Sequence, residues 1–184
     1  MTRKLTYSTL LLLIGTVAWV GVSPPIQSSA PLANLDWPNY GNDLANSRFQ
    51  NVDQINTSNV ANLRPAWIFH TGVLDPVASL EVSPLVVNGV MYVTDGHDDV
   101  FALDAATGAF KWSYDTGNEV LSSPAVANGV VYAASFYNVF ALDAATGAVN
   151  WSYSPGGHFD SDPAVANGTL YLGSDDKVYA FALP

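Results

Sequence analysis

Phe101-Ala102-Leu103-Asp104-Ala105-Ala106-Thr107-Gly108 recurs without change as Phe140-Ala141-Leu142-Asp143-Ala144-Ala145-Thr146-Gly147. An octapeptide returning intact after 39 residues marks an internal repeat, and the rest of the chain keeps step with it. Pro84, Pro124 and Pro163 fall at intervals of 40 and 39, as do Tyr92, Tyr132 and Tyr171 and the pairs Asn88-Gly89, Asn128-Gly129 and Asn167-Gly168. A period near forty suits either a four-stranded propeller blade or an array of helices. Local chemistry separates the two. Asn-Gly between β-prone runs is a hairpin signal, because a type I′ turn needs positive φ at both central residues. Asp143 can accept hydrogen bonds from turn amides, and Gly147 can take the left-handed position that closes such a turn. Ala125–Ala127, Val130–Ala134, Val139–Asp143 and Ala148–Tyr153 then read as four short antiparallel strands. Helices of useful length would not tolerate Gly and Asn at these places. The expected fold is all-β, a partial β-propeller of about three four-stranded blades.

Inner strands are expected to start near Ser83, Ser123 and Asp162, and outer strands to end at Trp112-Ser113-Tyr114 and Trp151-Ser152-Tyr153. The third unit reaches Pro184 just after its third strand, and Pro65 to Thr71, with Trp67, reads as an orphan outer strand ahead of the first unit. Three twisted sheets are too few to close a ring, so the chain is expected to be incomplete alone.

The 184 residues are 49% hydrophobic and 12% charged, which excludes a disordered tail. Six Lys and Arg against 16 Asp and Glu give a net charge of -10, unsuited to phosphate backbones or anionic membranes. Without Cys there is no disulfide, thiolate nucleophile, Cys-ligated zinc, iron–sulfur cluster or covalent c-type haem. Arg3 and Lys4 precede an apolar run from Leu10 to Val22, the pattern of a secretory signal. Cleavage is expected after Ala30 or Ala33, each compromised by the nearby Pro31; an uncleaved anchor is the other reading. The layout is a signal or anchor over 1–33, a lead-in segment over 34–66 and repeats over 67–184, in a periplasmic or extracellular protein.

Both octapeptides extend to A-x-D-x-x-T-G-x-x-x-W, ending at Trp112 and Trp151. This resembles the tryptophan-docking repeat of pyrroloquinoline quinone (PQQ) propeller proteins. Trp37-Pro38-Asn39-Tyr40-Gly41, Asn46-Ser47-Arg48, Pro65-Ala66-Trp67, Phe69-His70-Thr71-Gly72 and Glu81-Val82-Ser83-Pro84 further resemble the N-terminal part of quinoprotein alcohol dehydrogenases. The resemblance covers residues 36 to 183. It implies an eight-bladed ring holding PQQ and Ca²⁺, in which an alcohol is oxidised by hydride transfer with the help of an Asp. That family's adjacent cysteine pair has no counterpart here, and its Ca²⁺ ligands and catalytic Asp come from blades beyond residue 184. Only Glu81 falls where the family has a Glu that hydrogen-bonds the quinone. The second and third repeats look closer to a generic PQQ-like repeat, also found in the outer-membrane assembly lipoprotein that binds no quinone.

Glu81, Asp160 and Asp162 head inner strands and could together hold Ca²⁺, which takes about six to eight oxygens; hydrated surface acids are the plainer reading. Asp95-Gly96-His97-Asp98-Asp99 is acidic but occupies a hairpin turn, where turn chemistry accounts for it. His70, His97 and His158 share no repeat position. Trp67, Trp112 and Trp151 are read as packing residues, and Asp104, Gly108, Asp143 and Gly147 as turn residues. No catalytic residue and no metal ligand is expected on this chain. The main reading is an exported PQQ-like repeat module, a non-catalytic binding or assembly scaffold or a truncated fragment. The alternative is the N-terminal blades of a PQQ- and Ca-dependent alcohol dehydrogenase whose missing blades lie on another chain. A third possibility is a homodimer that closes a six-bladed ring.

Overall fold

A computed structural model describes residues 36–43, 45–73 and 80–184; the expected signal over 1–33 lies outside them. They form three antiparallel sheets. The first holds β1 (Leu85–Val87), β2 (Val90–Thr94), β3 (Asp99–Asp104) and β4 (Phe110–Asp115). The second holds β5 (Ala125–Ala127), β6 (Val130–Ala134), β7 (Val139–Asp143) and β8 (Val149–Tyr153), and the third β9 (Ala164–Ala166), β10 (Thr169–Ser174) and β11 (Lys177–Ala182). Each is a meander in sequence order, the arrangement of propeller blades. The Asn-Gly turns hold Asn88, Asn128 and Asn167 at φ 50–52° and their glycines at 74–77°.

The two octapeptides build the same turn. Asp104 Oδ1 accepts from the N–H groups of Ala106 and Thr107 and from the Thr107 hydroxyl, and Asp143 does the same with Ala145 and Thr146. Each turn is a seat for an indole. Trp67 Nε1 donates to Ala105 O at 3.2 Å, and Trp112 Nε1 to Ala144 O at 3.1 Å. Gly147 has φ 75°, and a Cβ there would lie 2.7 Å from Trp112 Cε3. Burying an indole contributes on the order of 4–6 kcal/mol by area, against about 1 kcal/mol for its hydrogen bond. Packing therefore supplies the strength and the N–H sets the orientation.

Between the first two sheets Tyr92, Val100, Ala102 and Trp112 pack on Val131, Ala133, Phe140 and Leu142. A second core, Ala134, Val139, Phe159, Leu170 and Leu172, joins the second sheet to the third. Trp151 lacks the cover that Trp112 has, because Ala182 and Leu183 stand at the positions of Asp104 and Ala105 and no acid caps a turn there. It is exposed beside a groove of about 680 Å³.

The expectation of a strand over Pro65 to Thr71 fails: these residues are unpaired and belong to no sheet. The cause is the want of a neighbour, since an outer strand takes its hydrogen bonds from the third strand of its own blade, and among the described residues no sheet supplies one here. The lead-in segment meets the first sheet at its inner edge, where Trp37 bridges Val86 and Asp36 accepts from the Asn88 N–H.

Gly147→Ala should lower unfolding free energy by roughly 2–4 kcal/mol, through positive φ and collision with the Trp112 ring. Denaturant titration checks this, with Gly129→Ala, which meets nothing within 4 Å, as the control for φ alone. Hydrogen bonds, first from the Thr107 and Thr146 hydroxyls, hold the carboxyls of Asp104 and Asp143 below the ordinary 3.8. Their contribution is therefore complete above that value and lost as pH falls below it. Melting temperature between pH 5 and 2 should fall less steeply in the double variant D104N/D143N.

Candidate functional site

One rim of the sheets collects the loops that enter the inner strands and the turns that join the second strand of each sheet to the third. A relay of hydrogen bonds ties the inner-strand heads together. The Ser83 N–H donates to Ser123 Oγ at 3.0 Å, and the Ser123 N–H donates to Asp162 Oδ1 at 2.7 Å. Ser83, Ser123 and Asp162 are the same repeat position, so the latch repeats from blade to blade. Sequence reading placed Asp162 at a strand head but missed this use of it; the recurrence of small hydrogen-bonding residues at that position was the available signal.

Glu81 and Asp160 also share a repeat position, and the second unit has Leu121 there. Both acids are exposed. With Leu121 between them and Asp162 engaged by Ser123, the proposed Ca²⁺ set of Glu81, Asp160 and Asp162 does not form. Among the described residues no group of three His, Cys, Asp or Glu side chains could hold a metal ion. Asp160 instead lines a cleft of about 540 Å³ with Ser161, Asp175, Asp176 and Lys177.

The turn after β2 is more demanding than its sequence suggests. Asp95 is buried, and its Oδ1 accepts from the N–H groups of His97, Asp98 and Asp99 at 3.0–3.2 Å. Its Oδ2 is buried with no hydrogen-bond partner. Ser135 and Ser174, its equivalents, are buried too, so this position is a core site in every sheet. Burial raises the Asp99 carboxyl first, and repulsion by Asp95, Asp98 and Asp115 adds to it.

The histidines stay apart. His97 pairs with Asp98 at 2.7 Å, His158 stacks on Phe136 at 3.9 Å near Asp175, and His70 is exposed. Across the lead-in, Arg48 lies over the Tyr40 ring and lines a hollow of about 420 Å³ with Trp37, Ser83, Pro84 and Val86. Glu81, which the resemblance sets against the quinone, stands exposed at the head of the first inner strand.

A raised folded value means that ionising Asp99 is disfavoured in the fold, so stability present below the ordinary 3.8 is lost as pH rises through the raised value. Asp99→Asn should therefore raise stability at pH 7 by roughly a few tenths of a kcal/mol, after solvent screening of a half-buried group. The gain should vanish at pH 3, as thermal melts at the two pH values will read.

Comparison with known proteins places this geometry. Residues 37–122 match the family described as "Glucose/ethanol/alcohol dehydrogenase, beta-propeller domain", and residues 135–183 the one described as "Outer membrane protein assembly factor BamB". The chain is 43% identical over 96 residues to quinoprotein glucose dehydrogenase of Escherichia coli (strain K12), covering 50% of this chain and 12% of that protein. It is 42% identical over 112 residues to the dehydrogenase subunit of alcohol dehydrogenase (quinone) from Gluconobacter oxydans (strain 621H), covering 55% and 14%. The chain thus spans about an eighth of the length of these curated relatives. Among solved structures, a europium-containing methanol dehydrogenase superposes with a TM-score of 0.71 at 28% identity, over 80% of this chain and 30% of the other.

Proposed function

We propose, from a chain of PQQ-like propeller repeats that resembles the quinoprotein alcohol dehydrogenases, that these residues are blades of an exported PQQ-dependent dehydrogenase completed by further blades. The observation that carries this is the dehydrogenase-type match over 37–122, which takes in the lead-in, Glu81 and the first sheet together. PQQ, when bound, supplies the hydride acceptor for alcohol oxidation. This chain's part is structural and orienting: the indole seats hold the blades at fixed spacing, and Glu81 stands exposed at the inner-strand head, where it can accept a hydrogen bond from a ligand at the rim. The cation ligands and the catalytic base would come from the remaining blades.

A scaffold without redox chemistry is the second reading, favoured by the assembly-factor match over 135–183 and by the absence of Cys. The two readings part on the polypeptide that completes the ring. Co-expressed with blades that complete the ring, the protein should bind PQQ in the presence of Ca²⁺ and oxidise an alcohol with a dye acceptor. Glu81→Gln should weaken PQQ binding about tenfold, the worth of a lost hydrogen bond to a charged group. An assembled, folded protein that leaves PQQ fluorescence unchanged would overturn the enzyme reading in favour of the scaffold.

A further inference from the structure

The second sheet is flanked on both faces, by the first sheet through one apolar core and by the third through another. Blades that complete a ring add beyond the first and third sheets and leave the central channel open. What the head of β5 exposes at the rim is therefore no consequence of a missing blade.

The polar groups of that head are spent on the fold. Ser122 is buried; its Oγ donates to Ala134 O at 3.1 Å, and its carbonyl accepts from Thr94 Oγ1 at 2.8 Å. Ser123 is buried too, its Oγ accepting from the Ser83 N–H and its own N–H donating to Asp162. Immediately before them Leu121 is 44% exposed, although its neighbour Val120 is fully buried.

A large apolar side chain at that point is not something the repeat requires. Its equivalents are Glu81 and Asp160, both exposed acids. Glu81 stands two residues ahead of Ser83 as Leu121 stands two ahead of Ser123, and the 3.0 Å bond from the Ser83 N–H to Ser123 Oγ ties those two strand heads together. Adjacent heads thus carry a carboxylate and a hydrocarbon surface that makes no hydrogen bond. Asp160, on the other side, belongs to the cleft beside Lys177.

We propose, resting on the dehydrogenase reading, that Leu121 is a specificity-determining residue that selects alcohols with a hydrocarbon body over polyols. A hydrocarbon chain laid on Leu121 leaves water with a gain proportional to its apolar area. A polyol there sets hydroxyls against a side chain that neither donates nor accepts, while the serine hydroxyls behind it are buried and engaged. Each hydroxyl left unpaired counts against binding. Selection therefore acts twice, by attraction of one class and exclusion of the other.

The test uses the chain assembled with blades that complete the ring and loaded with PQQ and Ca²⁺. The ratio of kcat/KM for 1-butanol to that for glycerol is measured in the parent, in Leu121→Asn and in Glu119→Gln. Glu119 is exposed on the same loop and serves as the control. The parent should prefer 1-butanol, and in Leu121→Asn the ratio should fall about tenfold, through a higher KM for 1-butanol. The inhibition constant of tert-butanol, which has no carbinol hydrogen to lose, should rise by a similar factor. PQQ fluorescence and circular dichroism should not change, and Glu119→Gln should leave the ratio as it was. An unchanged ratio in a Leu121→Asn protein that binds PQQ and turns over would overturn this proposal alone, as would a parent that prefers glycerol. A parent that binds no PQQ would overturn the dehydrogenase reading and this selectivity with it.

Discussion

The seat of an indole on a glycine-closed turn is the constraint on which the other contacts depend. A blade has an apolar face on each side and cannot bury both alone, so blades are stable only at a fixed separation from their neighbours. Trp67 and Trp112 set that separation. The glycine at the turn's close removes the one atom that would push the ring away, and the carbonyl beyond the turn's Asp fixes how the ring lies. Ala102 and Ala141 opposite the indoles, the tyrosines beneath them and the apolar cores between sheets all fit the gap so defined.

At the inner end a weaker device does the same work with hydrogen bonds. The Ser83–Ser123–Asp162 relay joins the heads of neighbouring inner strands. It also explains why an acid at a strand head need not be a ligand. Asp162 is occupied in holding blades together, and the other carboxylates at that rim, Glu81 and Asp160, have Leu121 of the second unit at the repeat position between them. Under the dehydrogenase reading, a cofactor site on this rim would be assembled by blades jointly. The dehydrogenase reading places most of that site beyond these residues.

The all-β architecture, its three units, the hairpin turns and the third sheet's three strands were legible because each follows from local chemistry repeated in register. An Asn-Gly pair or a D-x-x-T-G turn folds in the same way in every copy. The orphan strand at Pro65 to Thr71 was misread for the complementary reason. Its composition suits a strand, but a strand exists only with a partner, and partnership is not written in the segment. The turn chemistry of Asp95 was legible, since its Oδ1 accepts from the amides of its own turn, but its burial was not.

The order of strands within each blade and the identity of the turns were therefore determined by the sequence alone, since they rest on backbone conformations that Gly, Asn and Asp select within a few residues. Which faces remain uncovered, which acid bridges two sheets and where Trp67 lies were decided only by the tertiary structure. Those properties belong to gaps between sheets, set by the packing of residues some forty positions apart.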